Sequence, residues 1–199
     1  MNANSPLVSA VILNWNNYQD TTECLNSLFE QEYGPLDAII VDNGSSDSSG
    51  ERLREEYPSA KHISSEYNRG FSGGMNLGIE AALETDSEYI LLLNNDVIFE
   101  EQDVIDSLVT RLEENDGIGM LSPVIYDYPD KTSLWFSHGT VGNTSRLASQ
   151  RHGDCWEREG LIANDYVPIT CVMSPADLFR EIGLLDDQYF LYYEDVDLA

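Results

Sequence analysis

The sequence predicts an α/β fold in which a mostly parallel sheet carries helices on both faces. Short apolar segments at Val8–Leu13, Ala38–Val41 and Tyr89–Leu93 suit strands that are buried on both sides. Amphipathic helical patterns separate these segments, and such alternation favours parallel strands joined by crossover helices. With 199 residues, 42% of them hydrophobic, the chain is long enough for a full core, so residues 1–199 are predicted to form one domain.

The first half of the chain repeats a strand, loop and helix pattern. Asp20 precedes Glu23 at capping-box spacing, which predicts the start of a first helix, and a second helix passes through Leu53. A weaker third strand is expected at Lys61–Ser65. A glycine-rich turn at 68–76 then leads into a third helix, where backbone amides favour a phosphate group.

The second half is less regular. A helix is predicted at Val104–Leu112 and a strand at Ile118–Ile125, although a proline interrupts the latter. The stretch Tyr126–Asp165 has no strong period and is interpreted as an irregular binding region for a second substrate. A strand at Tyr166–Met173 and a short helix at Pro175–Ile182 follow.

The charge balance excludes one class of partner. The formal net charge is −26, from 36 acidic and 10 basic residues, so nucleic acid is not an expected partner. A self-repelling surface of this kind favours a salt-loving host. No apolar run approaches the roughly 20 residues of a membrane span, and no secretory signal pattern opens the sequence, so a cytoplasmic location is expected. The cysteines Cys24, Cys155 and Cys171 are far apart and predict neither a zinc site nor a disulfide, and Cys171 is expected to be buried.

Polar residues follow the predicted strands where a ligand would bind. Asn94, Asn95 and Asp96 end the central strand, and open α/β sheets bind ligands beyond the carboxyl ends of their strands. A carboxylate there suits a divalent metal, and a simple turn is the alternative. Asp42 ends the second strand, where an acid accepts hydrogen bonds from a nucleoside; a turn or a helix cap is its alternative.

Aromatic residues stand beside two of these positions. Trp15 follows the first strand, where it suits either core packing or stacking on a nucleobase. Near the end of the sequence an aromatic run passes directly into Glu194, Asp195 and Asp197. Carboxylates beside aromatics have raised pKa values, as a general base needs, and the alternative is the acidic first turn of a helix.

Five motifs in order resemble one family. They are Asn14-Trp15-Asn16, 41–47 (VDNGSSD), 68–76 (NRGFSGGMN), 91–96 (LLLNND) and 190–198 (FLYYEDVDL). Together they resemble inverting nucleotide-sugar glycosyltransferases of the GT-A, Rossmann-like type, in the large family 2 that includes rhamnosyltransferases. The resemblance spans about residues 8–198.

The resemblance implies a role for each matching residue. Trp15 would stack on uracil or thymine, Asp42 would bond that nucleoside, and Asp96 would hold Mg²⁺ or Mn²⁺ on the donor diphosphate. Asp195 would be the catalytic base, with Glu194 supporting it or the acceptor. The implied donor-binding residues are Asn14, Trp15, Asn16, Asp42, Asn68, Gly70, Asn76, Asn94 and Asn95.

The sequence departs from the family pattern in two places, one in the metal motif and one in the domain organisation. Asn94 stands where the metal motif usually begins with Asp, which removes one charge. Relatives continue past the Glu-Asp segment, so the resemblance implies a nucleotide-sugar-binding half, 1–125, and an acceptor-side half, 126–199, that is incomplete at its C-terminus.

The function implied is transfer of a sugar, with inversion, from a UDP- or dTDP-sugar to a glycan or lipid-linked acceptor in the synthesis of cell-surface polysaccharide. A lipid-linked acceptor would bring the chain to the cytoplasmic face of a membrane without a spanning segment. A non-catalytic nucleotide-sugar-binding module is the alternative. A nucleotidyltransferase is disfavoured, because it would need a glycine-rich loop with a basic residue directly after the first strand. Residues 14–17 (NWNN) contain neither glycine nor a basic residue.

Overall fold

The structure is a computed structural model that describes residues 5–141, 148–150 and 160–198. In chain order the elements of these residues are β1 (Val8–Asn14), α1 (Tyr18–Phe29), β2 (Leu36–Asp42), α2 (Ser49–Glu56), β3 (Lys61–Ser64), α3 (Gly70–Leu83), β4 (Tyr89–Asn94), α4 (Val104–Glu113), β5 (Ile125–Tyr126), β6 (Leu134–Phe136), β7 (Gly139–Val141), β8 (Ala148–Gln150), β9 (Cys171–Pro175), α5 (Ala176–Ile182) and α6 (Glu194–Leu198). None of the helices among them is long and apolar enough to span a bilayer.

A five-stranded sheet forms the centre, in the order β3-β2-β1-β4-β9. The first four strands run parallel, and β9 pairs antiparallel with β4 at the edge. Crossover helices connect the parallel strands, as right-handed α/β units require. The predicted α/β fold with a mostly parallel sheet is therefore confirmed.

The two faces of the sheet bury separate cores because side chains alternate along each strand. Ile12 and Leu91 pack with α1, α2 and α4 on one face, whereas Val11 and Leu92 pack with α3 and α5 on the other. Each fully buried aliphatic side chain of this kind contributes about 1.5–3 kcal/mol. Helices on both faces explain why the strands read as unbroken apolar runs.

Helix α3 begins earlier than predicted, because the glycines of the expected turn lie inside it. Gly70 starts the helix with φ of +77°, a conformation that favours glycine. A Cβ at Gly78 would overlap Val11 Cγ1, and one at Gly74 would lie 2.6 Å from Leu13 Cδ1. The glycines therefore allow α3 to lie directly against β1, which costs some helix propensity but gains close packing.

The capping box predicted for α1 is wrong. The helix begins at Tyr18 after Asn17, so Asp20 lies within the first turn rather than at the cap. The Asn17 amide donates to Asp20 Oδ2 at 2.8 Å. An acid in the first turn still complements the positive end of the helix dipole.

The strand predicted at Ile118–Ile125 is also wrong, apart from its last residue. Leu121 reaches the sheet edge through a single bridge, exchanging two 2.8 Å backbone bonds with Met173. Pro123 has no N–H to continue the pairing. The later strand begins at Cys171 rather than Tyr166, and Pro168 precedes it.

The stretch predicted to be irregular contains two small antiparallel pairs, β5 with β6 and β7 with β8. Phe136 of β6 is buried against the α3 side of the sheet, so this region is anchored to the core. Cys24 and Cys171 are buried free thiols, as predicted for Cys171. Cys155 lies outside the described residues.

Candidate active site at the carboxyl edge of the sheet

The carboxyl ends of the parallel strands lie side by side and create the candidate site. Asn14 at the end of β1 is in register with Asp42 at the end of β2, and Leu13 is in register with Asn94 of β4. The loops that follow these strands therefore meet at one edge, which we call the carboxyl edge. Five predicted site residues follow directly from this alignment: Asn14, Trp15, Asp42, Asn94 and Asp96.

Asn14 is fully buried and connects the end of β1 to α1, to the end of β2, and to the loop and helix start that follow β2. Its Nδ2 donates to Ser49 Oγ at 2.8 Å and more weakly, at 3.2 Å, to Asp42 Oδ1 and Ser45 Oγ. Its Oδ1 accepts from Thr21 Oγ1 at 3.1 Å. Both amide atoms are thus occupied by the protein, so Asn14 orders the site from beneath.

Trp15 and Asn16 form the rim of the carboxyl edge. Trp15 is 52% exposed, so it is not a core side chain. Asn16, at φ of 52°, donates its N–H to Ser45 Oγ at 2.9 Å and accepts the Ser46 N–H on Oδ1 at 2.7 Å. The loop after β1 is therefore fixed to the loop after β2, and Trp15 offers an exposed aromatic face at a fixed place.

Asp42 is half-buried against the start of α2. Its Oδ1 accepts from Asn14, and a Cβ on Gly50 would overlap its carboxylate. The Asp42 carbonyl also accepts the Ser65 N–H at 2.8 Å. Glycine at position 50 thus lets the carboxylate sit beside the helix start, where positive backbone groups favour an anion.

Asn43 was missed as a site residue, although it directly follows Asp42 in the second motif. Its Nδ2 donates to Gly70 O at 2.9 Å and to Asn68 Oδ1 at 3.1 Å, and its Oδ1 accepts the Arg69 N–H at 3.0 Å. Asn68 Oδ1 also accepts the Gly70 N–H at 2.8 Å. This amide network sets the path of the loop that places Asn68, Arg69 and Gly70 at the carboxyl edge.

Helix α3 holds the segment that leads to Glu194 and Asp195, the first two of the three acids in the last motif. Both amide atoms of Asn76 bond to the backbone of Leu185, at 2.8 and 3.0 Å. The Phe71 N–H donates to Phe190 O at 2.7 Å, and Gly70 allows this contact because a Cβ would lie 2.5 Å from the same oxygen. The first amides of α3 thus bind protein groups, and the acidic segment is fixed at the carboxyl edge.

Glu194 and Asp195 begin α6 in a partly desolvated setting. Glu194 is buried, and its Oε2 lacks a hydrogen-bond partner among the described residues. Burial raises the pKa of both carboxyl groups above the usual values, and the charge of Asp195 adds to the effect on Glu194. Burial, and secondarily the charge of Asp195, also raises the pKa of Tyr166. Asp195 Oδ1 accepts the Val196 N–H at 2.9 Å.

The end of β4 supplies the candidate metal ligand. Asp96 is exposed, Asn95 Nδ2 donates to Thr21 Oγ1 at 2.8 Å, and the buried Oδ1 of Asn94 lacks a partner within the described ranges. In those ranges no three His, Cys, Asp or Glu side chains form a group that could hold a metal. The donor set fits an Mg²⁺ or Mn²⁺ ion shared with substrate phosphates, which needs only one or two protein carboxylates.

The sheet order and the polar carboxyl edge define the class: the protein has the fold of a GT-A type glycosyltransferase. A mannosyltransferase from Pyrobaculum calidifontis, solved with GDP-Man and Mn²⁺, superposes on 98% of this chain and 51% of its own with a TM-score of 0.69 and 14% identity. Staphylococcus aureus TarS 1–349 in complex with UDP-GlcNAc superposes on 96% of this chain and 52% of its own, with a TM-score of 0.64 and 16% identity.

The chain belongs to the family described as Glycosyl transferase family 2, whose sequence profile matches residues 9–172. The low-salt glycan biosynthesis hexosyltransferase Agl10 of Haloferax volcanii is 25% identical over 96% of this chain and 60% of its own length. Glycosyltransferase GlyG of Streptococcus pneumoniae is 30% identical, over 94% and 62%. An N-acetylglucosaminyl-diphospho-decaprenol L-rhamnosyltransferase of Mycobacterium tuberculosis is 23% identical, over 83% and 60%. The chain thus spans about 60% of the length of these relatives.

Proposed function

We propose that this protein transfers a sugar from a UDP- or dTDP-sugar to a glycan or lipid-linked acceptor, with inversion, in the synthesis of cell-surface polysaccharide. Membership of the family supports transfer of a glycosyl group. Nucleotide-sugar complexes of proteins with this fold support the donor class. The cytoplasm, or the cytoplasmic face of a membrane, stays the predicted location.

One observation carries the proposal: α3 fixes a desolvated pair of carboxyl groups at the carboxyl edge that also carries Asp96. Helix α3 follows a parallel strand, so its first turn lies at the carboxyl ends of the strands. Phe190 is bonded to that turn, and Glu194 and Asp195 follow four and five residues later. A general base and a metal ligand on one edge are the two groups that direct displacement of a diphosphate requires.

On the donor side, the proposal gives each group a physical task. Trp15 stacks on the nucleobase with its exposed face, and Asp42 accepts hydrogen bonds from the nucleoside. The loop of Asn68 and Gly70, held by Asn43, bounds the sugar and diphosphate. Asn14 acts as a positioning residue for Asp42, because its own polar atoms are occupied.

On the acceptor side, Asp195 takes the proton of the attacking hydroxyl. The acceptor oxygen bonds to the anomeric carbon as the bond from that carbon to the diphosphate oxygen breaks, and attack from the opposite face inverts the centre. The raised pKa makes Asp195 a stronger base than an exposed aspartate, so transfer should rise with pH as this carboxyl ionises. A divalent ion held by Asp96 would offset the charge of the departing diphosphate.

A non-catalytic nucleotide-sugar-binding module is the second candidate. Asn94 supports it, because an amide in place of the first carboxylate of the metal motif gives the site one charge fewer for a divalent ion. Such a module would bind the donor without cleaving it.

Calorimetric titration of UDP and dTDP, with and without Mn²⁺ at molar salt, tests the proposal. We expect Mn²⁺-dependent binding by the native chain, at least about tenfold weaker binding by Asp96→Ala, and unchanged binding by Asp195→Asn. Donor cleavage to free sugar should be lost in Asp195→Asn. Absence of nucleotide binding by the folded native chain would overturn the donor site, whereas binding without cleavage would favour the non-catalytic module.

A further inference from the structure

A cleft of about 490 Å³ lies beside the candidate site on the α1 and α4 face of the sheet. Its walls come from the starts of α1 and α4, the loop after β4, and the segment that leads into β5 and β6. A volume of this size is within the about 300–1,000 Å³ of small-molecule sites. Asp96 is one of the lining residues, so the cleft adjoins the candidate metal ligand.

The lining combines aromatic rings with carboxylates. Tyr126, Tyr128 and Trp135 supply the rings, and Tyr128 is 65% exposed. Six acids line the cleft: Asp20, Glu23, Asp96, Glu100, Glu101 and Asp127. Lys131, the one basic side chain of the lining, is already paired with Glu100, so the wall carries a strong net negative charge.

Apart from Asp96, the carboxylates of the lining suit hydrogen bonding rather than chelation of a cation. No metal-holding group of three acidic, His or Cys side chains exists in residues 5–141, 148–150 and 160–198. Separated carboxylates around a wide cleft suit the many hydroxyl donors of a sugar, and the buried, unpaired Oδ1 of Asn94 adds a further acceptor. The aromatic rings offer flat apolar faces to the C–H faces of such a ring.

The cleft is separate from both halves of the proposed reaction centre. The residues proposed to bind the nucleoside, Trp15 and Asp42, do not line it, nor do the acids Glu194 and Asp195. A ring held in the cleft is therefore neither the nucleoside nor the ring whose hydroxyl meets the base. Asn68 and Gly70, which are proposed to bound the donor sugar, do not line the cleft either, so the ring is not the donor sugar. Because Asp96 lines the cleft, a ring there would lie beside the proposed reaction centre, where a second ring of the acceptor would bind.

We infer that the cleft is an additional acceptor subsite for a neutral sugar ring, and that the acceptor is consequently a glycan of at least two rings. The inference rests on the proposed function. The acidic wall rejects a ring that bears a carboxylate or phosphate, because burying like charges together is unfavourable.

Binding to an immobilised panel of mono-, di- and trisaccharides tests the inference, with each neutral glycan matched to its uronic-acid analogue. The salt concentration is the lowest at which circular dichroism shows a folded chain, since salt screens charge discrimination. UDP binding is measured on the same preparation. We expect neutral di- or trisaccharides to bind at least about fivefold more tightly than monosaccharides and than their acidic analogues.

Two variants, each with a matched control variant, locate the binding. Tyr128→Ala should weaken binding of the neutral glycans at least about threefold, while Tyr67→Ala, which removes a ring of similar exposure outside the cleft, should not. Asp127→Asn should narrow the gap between neutral and acidic glycans, whereas Glu55→Gln on α2 should leave it unchanged. These two shifts, with both control variants unchanged, would support the subsite.

Several results would overturn the inference. They are UDP binding without glycan binding, a preference for monosaccharides or acidic glycans, and equal losses in Tyr128→Ala and Tyr67→Ala. For each of these results, binding of UDP would still support the proposed donor site. A different result would separate the two proposals. If the folded chain binds neutral disaccharides but no UDP, and Tyr128→Ala weakens the disaccharide binding, the subsite is supported and the proposed donor site is contradicted.

Discussion

The buried side-chain amide of Asn14 joins α1, the end of β2 and the start of α2. Replacement by Ala removes two polar atoms and leaves Asp42, Ser49 and Thr21 without bonds that they make in the native chain. Because the lost partners are buried or half-buried, Asn14→Ala should lower the free energy of unfolding by about 1–3 kcal/mol. It should also weaken UDP binding, since Asp42 loses the group that orients it.

Urea unfolding followed by circular dichroism measures the loss of stability in Asn14→Ala, with Asn115→Ala as the matched control. Asn115 is half-buried, and its Nδ2 makes a solvent-exposed bond to the Arg111 carbonyl in the preceding turn, so its loss should cost less than about 0.5 kcal/mol. Equal unfolding free energies for the two variants would show that the Asn14 network contributes no net stability.

At this scale the sequence predicts which residues reach the carboxyl edge but not which partner each takes. Strand ends can be located from apolar runs, so Trp15, Asp42 and Asp96 are found from position alone. Asn76, predicted to be a donor-binding residue, also bonds through both its polar atoms to Leu185, 109 residues later, a partner that the sequence did not predict. A local sequence pattern does not predict a contact between residues so far apart in the chain. Asn43 was missed for the same reason, because its partners also lie in a distant loop.

Helix α3 depends on close approach to the sheet at Gly78. A methyl group there would overlap Val11 Cγ1 and lie 3.1 Å from Val41 Cγ2, both of them in strands of the core. Gly78→Ala should therefore destabilise the fold by about 1–3 kcal/mol through overpacking, outweighing the roughly 1 kcal/mol that alanine gains in a helix. A shifted α3 would also move Asn76 and the acidic segment bonded to it.

Thermal unfolding compares Gly78→Ala with Gly34→Ala. Position 34 lies in a loop with nothing within 4 Å of an added Cβ, so its substitution should change the free energy of unfolding by less than about 0.5 kcal/mol. A Gly78→Ala chain as stable as the native chain would mean that α3 can move away from β1 without cost.

Strands and helices were predicted correctly where a local hydrophobic period determines them. The predictions were wrong where contacts with distant residues determine the structure. The apolar runs of β1, β2 and β4 and the amphipathic pattern of α4 match the structure because each is fixed by burial. Residues 118–125 are apolar enough for a strand, but only Leu121 finds a partner in the sheet. The glycines of α3 favour a turn locally, and only packing against β1 makes them helical.

At the scale of the whole molecule, the excess of acidic residues is expected to have a large effect on stability. A formal net charge of −26 spread over 199 residues must repel itself in the compact state, and ion pairs offset little of it. Four such pairs are found in the described part of the chain, all between exposed or half-exposed groups that contribute about 0–1 kcal/mol each. Most of the other acids in residues 5–141 and 160–198 are exposed to solvent, where dissolved cations are their main counter-charge.

We therefore expect the stability of the protein to increase with salt. The Debye length falls from about 10 Å at 0.1 M to about 3 Å at 1 M, so most repulsion between surface carboxylates should be screened over this range. A gain of about 2 kcal/mol would raise Tm by about 4–8 °C for a chain of this size. Thermal scans in KCl from 0.05 to 3 M measure it, with equal osmolalities of sucrose as the uncharged control. Screening predicts a steep rise below 1 M in KCl that sucrose does not reproduce. A flat Tm in KCl, or the same curve in both solutes, would mean that self-repulsion does not limit this fold and would remove the main support for a salt-loving host.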